Sequence, residues 1–430
     1  MSLLTDESHA LKLDAADGLA GWRSHFFIPD NLIYLDGNSC GLLSREAEAA
    51  LLQSLAQWKA LAIEGWLQAD PPWFTLGEEL GAMMAPLIGA APDEVVATGS
   101  TTVNLHALLA TFYRPKGKRT KIVSTAMDFP SDRYAMESQV AMRGLDPKNE
   151  LRCVERRDGR LIEEGELIAA MTDEVALVFL PAVCYQSGQL LDMARLTAAA
   201  HERDVLIGFD CAHSIGAVPH AFDEWGVDFA LWCTYKYLNS GPGGIGGLYV
   251  NRRHFPAASG RQPGLRGWWG SDKAQQFDLA PEFTPAESAG AWQIGTTHIF
   301  SAAPLHGSLK LFAAAGLDAL RAKSLALTDY LIALLDELAS PPWNLAVGTP
   351  REHARRGGHV AVEHPDAARI CKALKARGVI PDFRPPGVIR LAPAPLYNTF
   401  HEVWRTANHL REIIGRGEHE KHAPGRDVVA

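Results

Sequence analysis

The chain has 430 residues, 47% of them hydrophobic and 21% charged, the balance of an ordinary globular enzyme and not of a disordered, collagen-like or coiled-coil chain. Its length exceeds one simple core and calls for two or three domains. Lysine and arginine total 41 against 50 acids, a formal charge of −9, which argues against nucleic acid as the main partner because phosphate binding needs a basic surface.

Residues 1–50 read as an N-terminal arm, with a helical start, a turn near Pro29-Asp30 and a short strand at Leu32-Ile33-Tyr34-Leu35. The strand runs into Asp36-Gly37-Asn38-Ser39-Cys40-Gly41, a polar turn that is either a tight connection or a loop touching a ligand. Helical spacing extends from Ser44, a predicted N-cap, to Trp66, and a second helix covers Phe74 to Leu87. Glu94 to Leu109 reads as a strand, a Gly99-Ser100-Thr101-Thr102 turn and a long helix. Such a turn presents N–H groups and hydroxyls that either bind an anion or simply cap the helix.

Further strands are expected at Lys121 to Thr125, Val175 to Leu180, Val205 to Phe209, Asp228 to Cys233 and Ile245 to Val250. Helices lie between them near Ser131 to Met142, Glu164 to Met171 and Met193 to Arg203. Short apolar runs alternating with helices predict an α/β fold with a mostly parallel central sheet, in a large domain over residues 51–300. Beyond Thr297 the pattern predicts one long amphipathic helix from Ala302 to Leu338. Strands at His359 to Glu363 and Val388 to Ala392, with helices at Ala367 to Arg377 and His401 to Ile414, complete a small α+β domain over 301–430. Its polar tail, with His419 and His422, is expected to be solvated, and no metal is expected.

The six cysteines show neither a CxxC pair nor framework spacing and read as reduced thiols of a cytoplasmic protein. The start of the chain carries acids and lacks the apolar core of a signal peptide. No run approaches the roughly eighteen apolar residues of a membrane span, so no membrane partner is expected.

Two of the expected strands end on polar residues, Asp210 and Lys236. In open α/β sheets ligands sit at the carboxyl ends of strands, so both side chains can face one site. A lysine after a buried strand is either an ammonium that reaches the surface or a Schiff-base lysine that holds an aldehyde cofactor. Pyridoxal phosphate needs such a lysine, a carboxylate against its ring nitrogen, donors for its phosphate and a flat group over its ring. Lys236, Asp210, the Thr101-Thr102 turn and Phe129 offer each of these at a strand end or a helix start. The glycine-rich run after Lys236 leads into a strand and not a helix, so it reads as a tight turn beside the cofactor rather than a phosphate loop.

Asp210-Cys211-Ala212-His213-Ser214-Ile215-Gly216-Ala217, Cys233-Thr234-Tyr235-Lys236-Tyr237-Leu238-Asn239 and Phe129-Pro130-Ser131-Asp132 resemble the kynureninase family of fold-type-I pyridoxal-phosphate enzymes, in its bacterial form. Leu35-Asp36-Gly37-Asn38-Ser39, Gly267-Trp268-Trp269-Gly270 and the run from Ile389 to Asn398 resemble it too, so the resemblance covers nearly the whole chain. It implies that Lys236 holds the cofactor aldehyde, Asp210 pairs with the pyridine nitrogen, His213 lies beside the ring and Phe129 stacks on it. Thr101, Thr102, Tyr235, Trp268 and Thr296 are implied as phosphate donors, with Asp132 also near the cofactor. Arg390 is implied as the clamp on the substrate α-carboxylate, with Asn38 and Ser39 approaching from the arm.

The implied reaction is hydrolysis of L-kynurenine to anthranilate and L-alanine in tryptophan catabolism, with Tyr235 as proton donor beside Lys236. Trp66, Gly295 and Thr296 resemble the form that prefers kynurenine to its 3-hydroxy derivative, since an indole leaves an added hydroxyl unpaired at a cost of about 1–3 kcal/mol. Pro181 departs from the pattern, standing where a polar side chain is expected near the cofactor. Such enzymes are usually homodimers with sites at the interface, and Trp268 and Thr296 are the residues expected to cross to the partner's site. The rivals are a cysteine desulfurase using Cys40 or Cys371, an aminotransferase, and a non-catalytic protein that keeps the fold.

Overall fold

The computed structural model describes residues 5–156 and 158–425. A seven-stranded sheet lies at its centre, in the order Val95–Ala97, Gly246–Val250, Phe229–Cys233, Leu206–Asp210, Val175–Pro181, Lys121–Thr125, Leu151–Val154. Gly246–Val250 is antiparallel to both neighbours, and the other six strands run parallel. Alternate residues enter two different cores: Val178, Ile207, Ala230 and Trp232 on one face, Leu177, Phe179, Phe229 and Leu231 on the other. That division follows from the two-residue period of a strand. It explains why these strands read as unbroken apolar runs.

The helix Arg45–Leu61 begins as expected, with Ser44 Oγ accepting from the Ala47 amide at 3.1 Å. It packs along Ile299–Ala315, where Gly307 allows the close approach. A Cβ on that glycine would lie 2.0 Å from the Glu46 carbonyl oxygen.

The single long helix expected from Ala302 to Leu338 is two helices, Ile299–Ala315 and Leu317–Asp336, broken at Gly316 with φ 79°. The apolar pattern continues on both sides of the glycine, so periodicity alone hides the break. Leu305, Leu309 and Phe312 pack in the core of the large sheet, whereas Leu327, Leu331 and Leu335 pack in a second core.

That second core is covered by an antiparallel sheet in the order Asp382–Arg384, Val388–Leu391, Val360–Glu363, Ala346–Val347. The arm joins it, because Ile33–Tyr34 pairs in parallel with Val379–Ile380 and Asp36 bridges to Ala392. The strands at 151–154, 346–347, 379–380 and 382–384 give no sequence signal, being two to four residues long and too short to show alternation.

The expected solvated tail is partly docked. His419 is buried in the turn Glu418–Lys421, and Glu418 pairs with Arg377 at 2.7 Å. His422 is half-buried, and the chain beyond Gly425 lies outside the described residues. Among the described residues no helix is long and apolar enough to cross a membrane, and no group of three or more His, Cys, Asp or Glu is arranged to hold a metal ion.

Candidate active site

The carboxyl ends of the parallel strands share one edge of the sheet, and with the arm they line a cavity of about 460 Å³. Lys236 stands just beyond Cys233, the last residue of its strand. Its turn is fixed by Thr234 Oγ1, which bonds Ser240 Oγ at 2.6 Å and the Ile245 carbonyl, and by Asn239 Nδ2 on the Tyr237 carbonyl at 2.8 Å. Lys236 Nζ is 3.0 Å from His213 Nε2 and 5.8 Å from the centroid of the Phe129 ring. Burial, and then the charge of Lys236, hold the His213 imidazole well below its ordinary pKa. The ring is therefore neutral and accepts the lysine's hydrogen bond, while its Nδ1 is buried with no partner.

Asp210 ends the adjacent strand, where its Oδ1 accepts from the Ala212 amide at 2.8 Å. Asp132, in the helix Pro130–Ala141, is buried near it. Burial and then the Asp210 charge push the Asp132 carboxyl well above the usual range, and burial lifts Asp128 to about 7. Three acids in one low-dielectric site cannot all ionise, so Asp132 retains its proton. Phe129 meets Tyr185 edge-on, with ring centroids 5.3 Å apart.

Thr101 and Thr102 open the helix Thr101–Phe112, whose first turn has no side-chain cap, and both line the cavity. Backbone amides at such a terminus favour an anion. Burial raises the Tyr235 phenol above its ordinary value, so it keeps its proton at neutral pH. Gly243 and Gly244, from the run after Lys236, also line the wall.

The polar turn of the arm is both a tight connection and a wall of the site. The Gly41 amide donates to the Tyr235 carbonyl at 2.7 Å, and a Cβ on Gly41 would lie 2.4 Å from the Lys236 carbonyl oxygen. Asn38 and Ser39 thereby reach the cavity. Asn38 is fully buried, and neither its Oδ1 nor its Nδ2 has a partner. Arg390 is 1% exposed and bonds Asp382, the Tyr185 carbonyl at 2.8 Å and Ser39 Oγ at 3.1 Å.

Four expected residues lie elsewhere in the chain. Trp66, Trp268, Gly295 and Thr296 do not line this cavity. Gly295 and Thr296 are exposed, and Trp268 is 46% exposed. Trp66 and Trp268 each pack on Trp269, with ring centroids 5.4 and 5.7 Å away, and the Trp268 indole donates to the Gln276 carbonyl at 3.0 Å.

Sequence reasoning missed Ser100, Met127, Tyr185 and Arg384, all of which line the cavity. The Gly-Ser-Thr-Thr turn was a signal for Ser100. Arg384 had none, since it lies on a three-residue strand. Pro181 is the last residue of its strand, in register with Asp210, and it too lines the wall.

A family model described as the kynureninase C-terminal domain matches residues 320–410. A curated relative named kynureninase, from Geobacillus thermodenitrificans, is 54% identical over 421 residues, covering 98% of this chain and 97% of its own. Another, from Shouchella clausii, is 53% identical over 429 residues, covering 100% and 99%. Among solved structures the chain is similar to an apo cysteine desulfurase from Thermococcus onnurineus, with TM-score 0.77, 20% identity and coverage of 92% and 98%. It is also similar to a cystine C–S lyase in complex with cysteine persulfide, with TM-score 0.75, 19% identity and coverage of 89% and 97%. At that identity these two speak for the fold alone, which is the fold-type-I architecture. More than half of all positions are shared with the curated relatives from end to end, and on that ground the chain belongs to the kynureninase family.

Proposed function

We infer that the protein is a pyridoxal-phosphate-dependent hydrolase that cleaves the Cβ–Cγ bond of L-kynurenine to give anthranilate and L-alanine. The observation that carries this reading is a cavity shared by Lys236, Asp210 and Arg390 in a chain about half identical to kynureninases along its whole length.

The donor set fits the cofactor. The uncapped start of the helix Thr101–Phe112 offers amides and hydroxyls for a phosphate, and the unpartnered Asn38 amide and His213 Nδ1 lack only a polar partner. When bound, pyridoxal phosphate supplies an aldehyde for amines and a protonated ring that draws electrons from the substrate α-carbon. In this reading Lys236 holds that aldehyde and then moves the α-proton, with His213 as its nearest acceptor at 3.0 Å. Asp210 faces the ring nitrogen, Phe129 covers the ring, and Asp132 supports Asp210 as a neutral donor. Water adds to the aryl ketone, the aryl fragment departs as a carboxylate, and Tyr235, which keeps its phenolic proton, donates to the Cβ carbon that keeps the electron pair of the broken bond. Arg390 holds the α-carboxylate beside Asn38 and Ser39.

The chain divides in this proposal into an arm over 1–50, a cofactor-binding domain over 51–300 and a smaller domain over 301–430. The working form is a cytoplasmic homodimer. Large exposed apolar side chains favour it: Trp58, Ile63, Leu67, Trp268, Phe277 and Phe300 are all at least 43% exposed, and such patches mark association surfaces. Trp66, Trp268, Gly295 and Thr296 then complete the partner's cavity at its phosphate and aryl ends, and kynurenine is favoured over 3-hydroxykynurenine in kcat/KM. The six free cysteines support the reducing compartment.

A desulfurase role is not favoured. Cys371 is buried in the helix Ala367–Ala376, and burial followed by the Asp36 charge raises the Cys40 thiol, which disfavours the thiolate. Anthranilate fluorescence from kynurenine with added pyridoxal phosphate, beside sulfide release from cysteine, tests the assignment. Sulfide without anthranilate would overturn it, and neither product would favour a non-catalytic protein.

A further inference from the structure

Arg390 is already largely committed to the protein. A guanidinium has five N–H donors in a rigid fork, and hydrogen bonds to the protein already engage three of them. Nε and Nη2 reach Asp382, Nη1 donates to the Tyr185 carbonyl at 2.8 Å, and Nη2 donates to Ser39 Oγ at 3.1 Å. Every nitrogen of the group thus already serves a protein acceptor, and one further N–H remains on each terminal nitrogen.

Arg384 is placed to supply further donors. Asp382 stands opposite Arg390 in the antiparallel pairing, and Arg384 follows two residues later on the same face. Its Nε donates to Asp382 Oδ2 at 2.9 Å, and among the described residues its two terminal nitrogens have no hydrogen-bond partner. Arg384 lines the cavity and is 28% exposed, whereas Asp382 is 0% exposed.

Charge points the same way. Asp382 is one buried anion held between two guanidinium cations, so the three side chains carry one net positive charge. Asp36 is a second acid facing the same groups, so without Arg384 the cluster of Arg390, Asp382 and Asp36 holds no net positive charge for a carboxylate brought in from water.

We propose that Arg384 is a second substrate-binding residue, which holds the α-carboxylate of an amino-acid ligand together with Arg390. Asp382 positions both guanidinium groups. This inference rests on the reading of the cavity as an amino-acid site.

The test uses holoenzyme titrated with L-alanine and with L-alaninamide, which lacks the carboxylate, followed by visible absorption and by calorimetry. Arg384→Met is expected to weaken L-alanine about tenfold or more and to leave L-alaninamide within about twofold, because only the acid loses a charge-assisted bond. Arg384→Lys, which keeps the charge without the fork, is expected to recover part of the loss. Arg384→Gln retains a donor for Asp382 and serves if the Met variant fails to fold.

Equal weakening of both ligands would show a structural role and overturn the proposal. Unchanged L-alanine binding in all three variants would do the same while anthranilate release by the parent enzyme leaves the assigned activity intact. Parent protein that neither releases anthranilate nor binds L-alanine overturns both.

Discussion

Lys236 Nζ and His213 Nε2 lie 3.0 Å apart at the carboxyl ends of two strands that are hydrogen-bonded neighbours in the sheet. The neutral imidazole faces the lysine on one side and has an unpartnered nitrogen on the other. With Lys236→Ala the visible band of the cofactor-loaded protein should disappear. Anthranilate release should fall by about ten-thousandfold or more, since both the covalent anchor and the proton carrier are gone. Absorption spectra and fluorescence follow the two effects separately.

Tyr235 should act through its proton and not through its bulk. Tyr235→Phe is expected to lower kcat by about a hundredfold or more at saturating cofactor while the visible spectrum changes little. Stopped-flow spectra with kynurenine would then show substrate binding at the usual rate followed by slow product release. A variant with normal kcat would remove Tyr235 from the chemistry.

The separation of Trp268 from its own chain's cavity makes complementation informative. Lys236→Ala and Trp268→Ala are each expected to be impaired alone. When the two are dissociated and mixed in equal amounts, half of the dimers are hybrids that carry one undamaged site, so roughly a quarter of parental activity should return. No recovery would mean that Trp268 serves the site of its own chain.

Asp228 sets the acid limit of folding in this region. It is 0% exposed and accepts from the Ile207 amide at 2.8 Å, His201 at 3.0 Å, His254 at 2.7 Å and Arg253 at 2.5 Å. Burial alone would raise its pKa, but the bonds from His201 and His254 and the charge of Arg253 outweigh it, holding the group well below its ordinary 3.8. The folded state thus binds this proton less readily than the unfolded chain. Its stabilisation is complete above the ordinary value and is lost as pH falls below it. Asp228→Asn should cost about 3–5 kcal/mol near neutral pH and flatten the acid limb of stability, as measured by urea melts across that range.

The central sheet and the poles of the site are legible in the sequence because a strand buried on both faces is apolar throughout, so a polar residue at its end stands out. Asp210, Lys236 and the Thr101-Thr102 turn share that property. Arg384 does not, because its place depends on the register between two short strands, and no local pattern encodes register at that length. Gly316 is hidden for the opposite reason, since the helical apolar pattern persists across it. Trp66 and Trp268 look like site residues through the family resemblance, yet both pack against Trp269 and away from the cavity of their own chain.

The arm gives the cavity a jaw. Asn38 and Ser39 follow Ile33–Tyr34, which forms a two-stranded sheet with Val379–Ile380, and the bridge from Asp36 to Ala392 ties this stretch to the strand that carries Arg390. That bridge groups Asn38, Ser39, Arg384 and Arg390 on the side of the cavity opposite the rim of Lys236 and Asp210. Gly41, with no room for even a methyl group beside the Lys236 carbonyl, pins the jaw to the rim. The width of the mouth is therefore set at a residue that has no side chain.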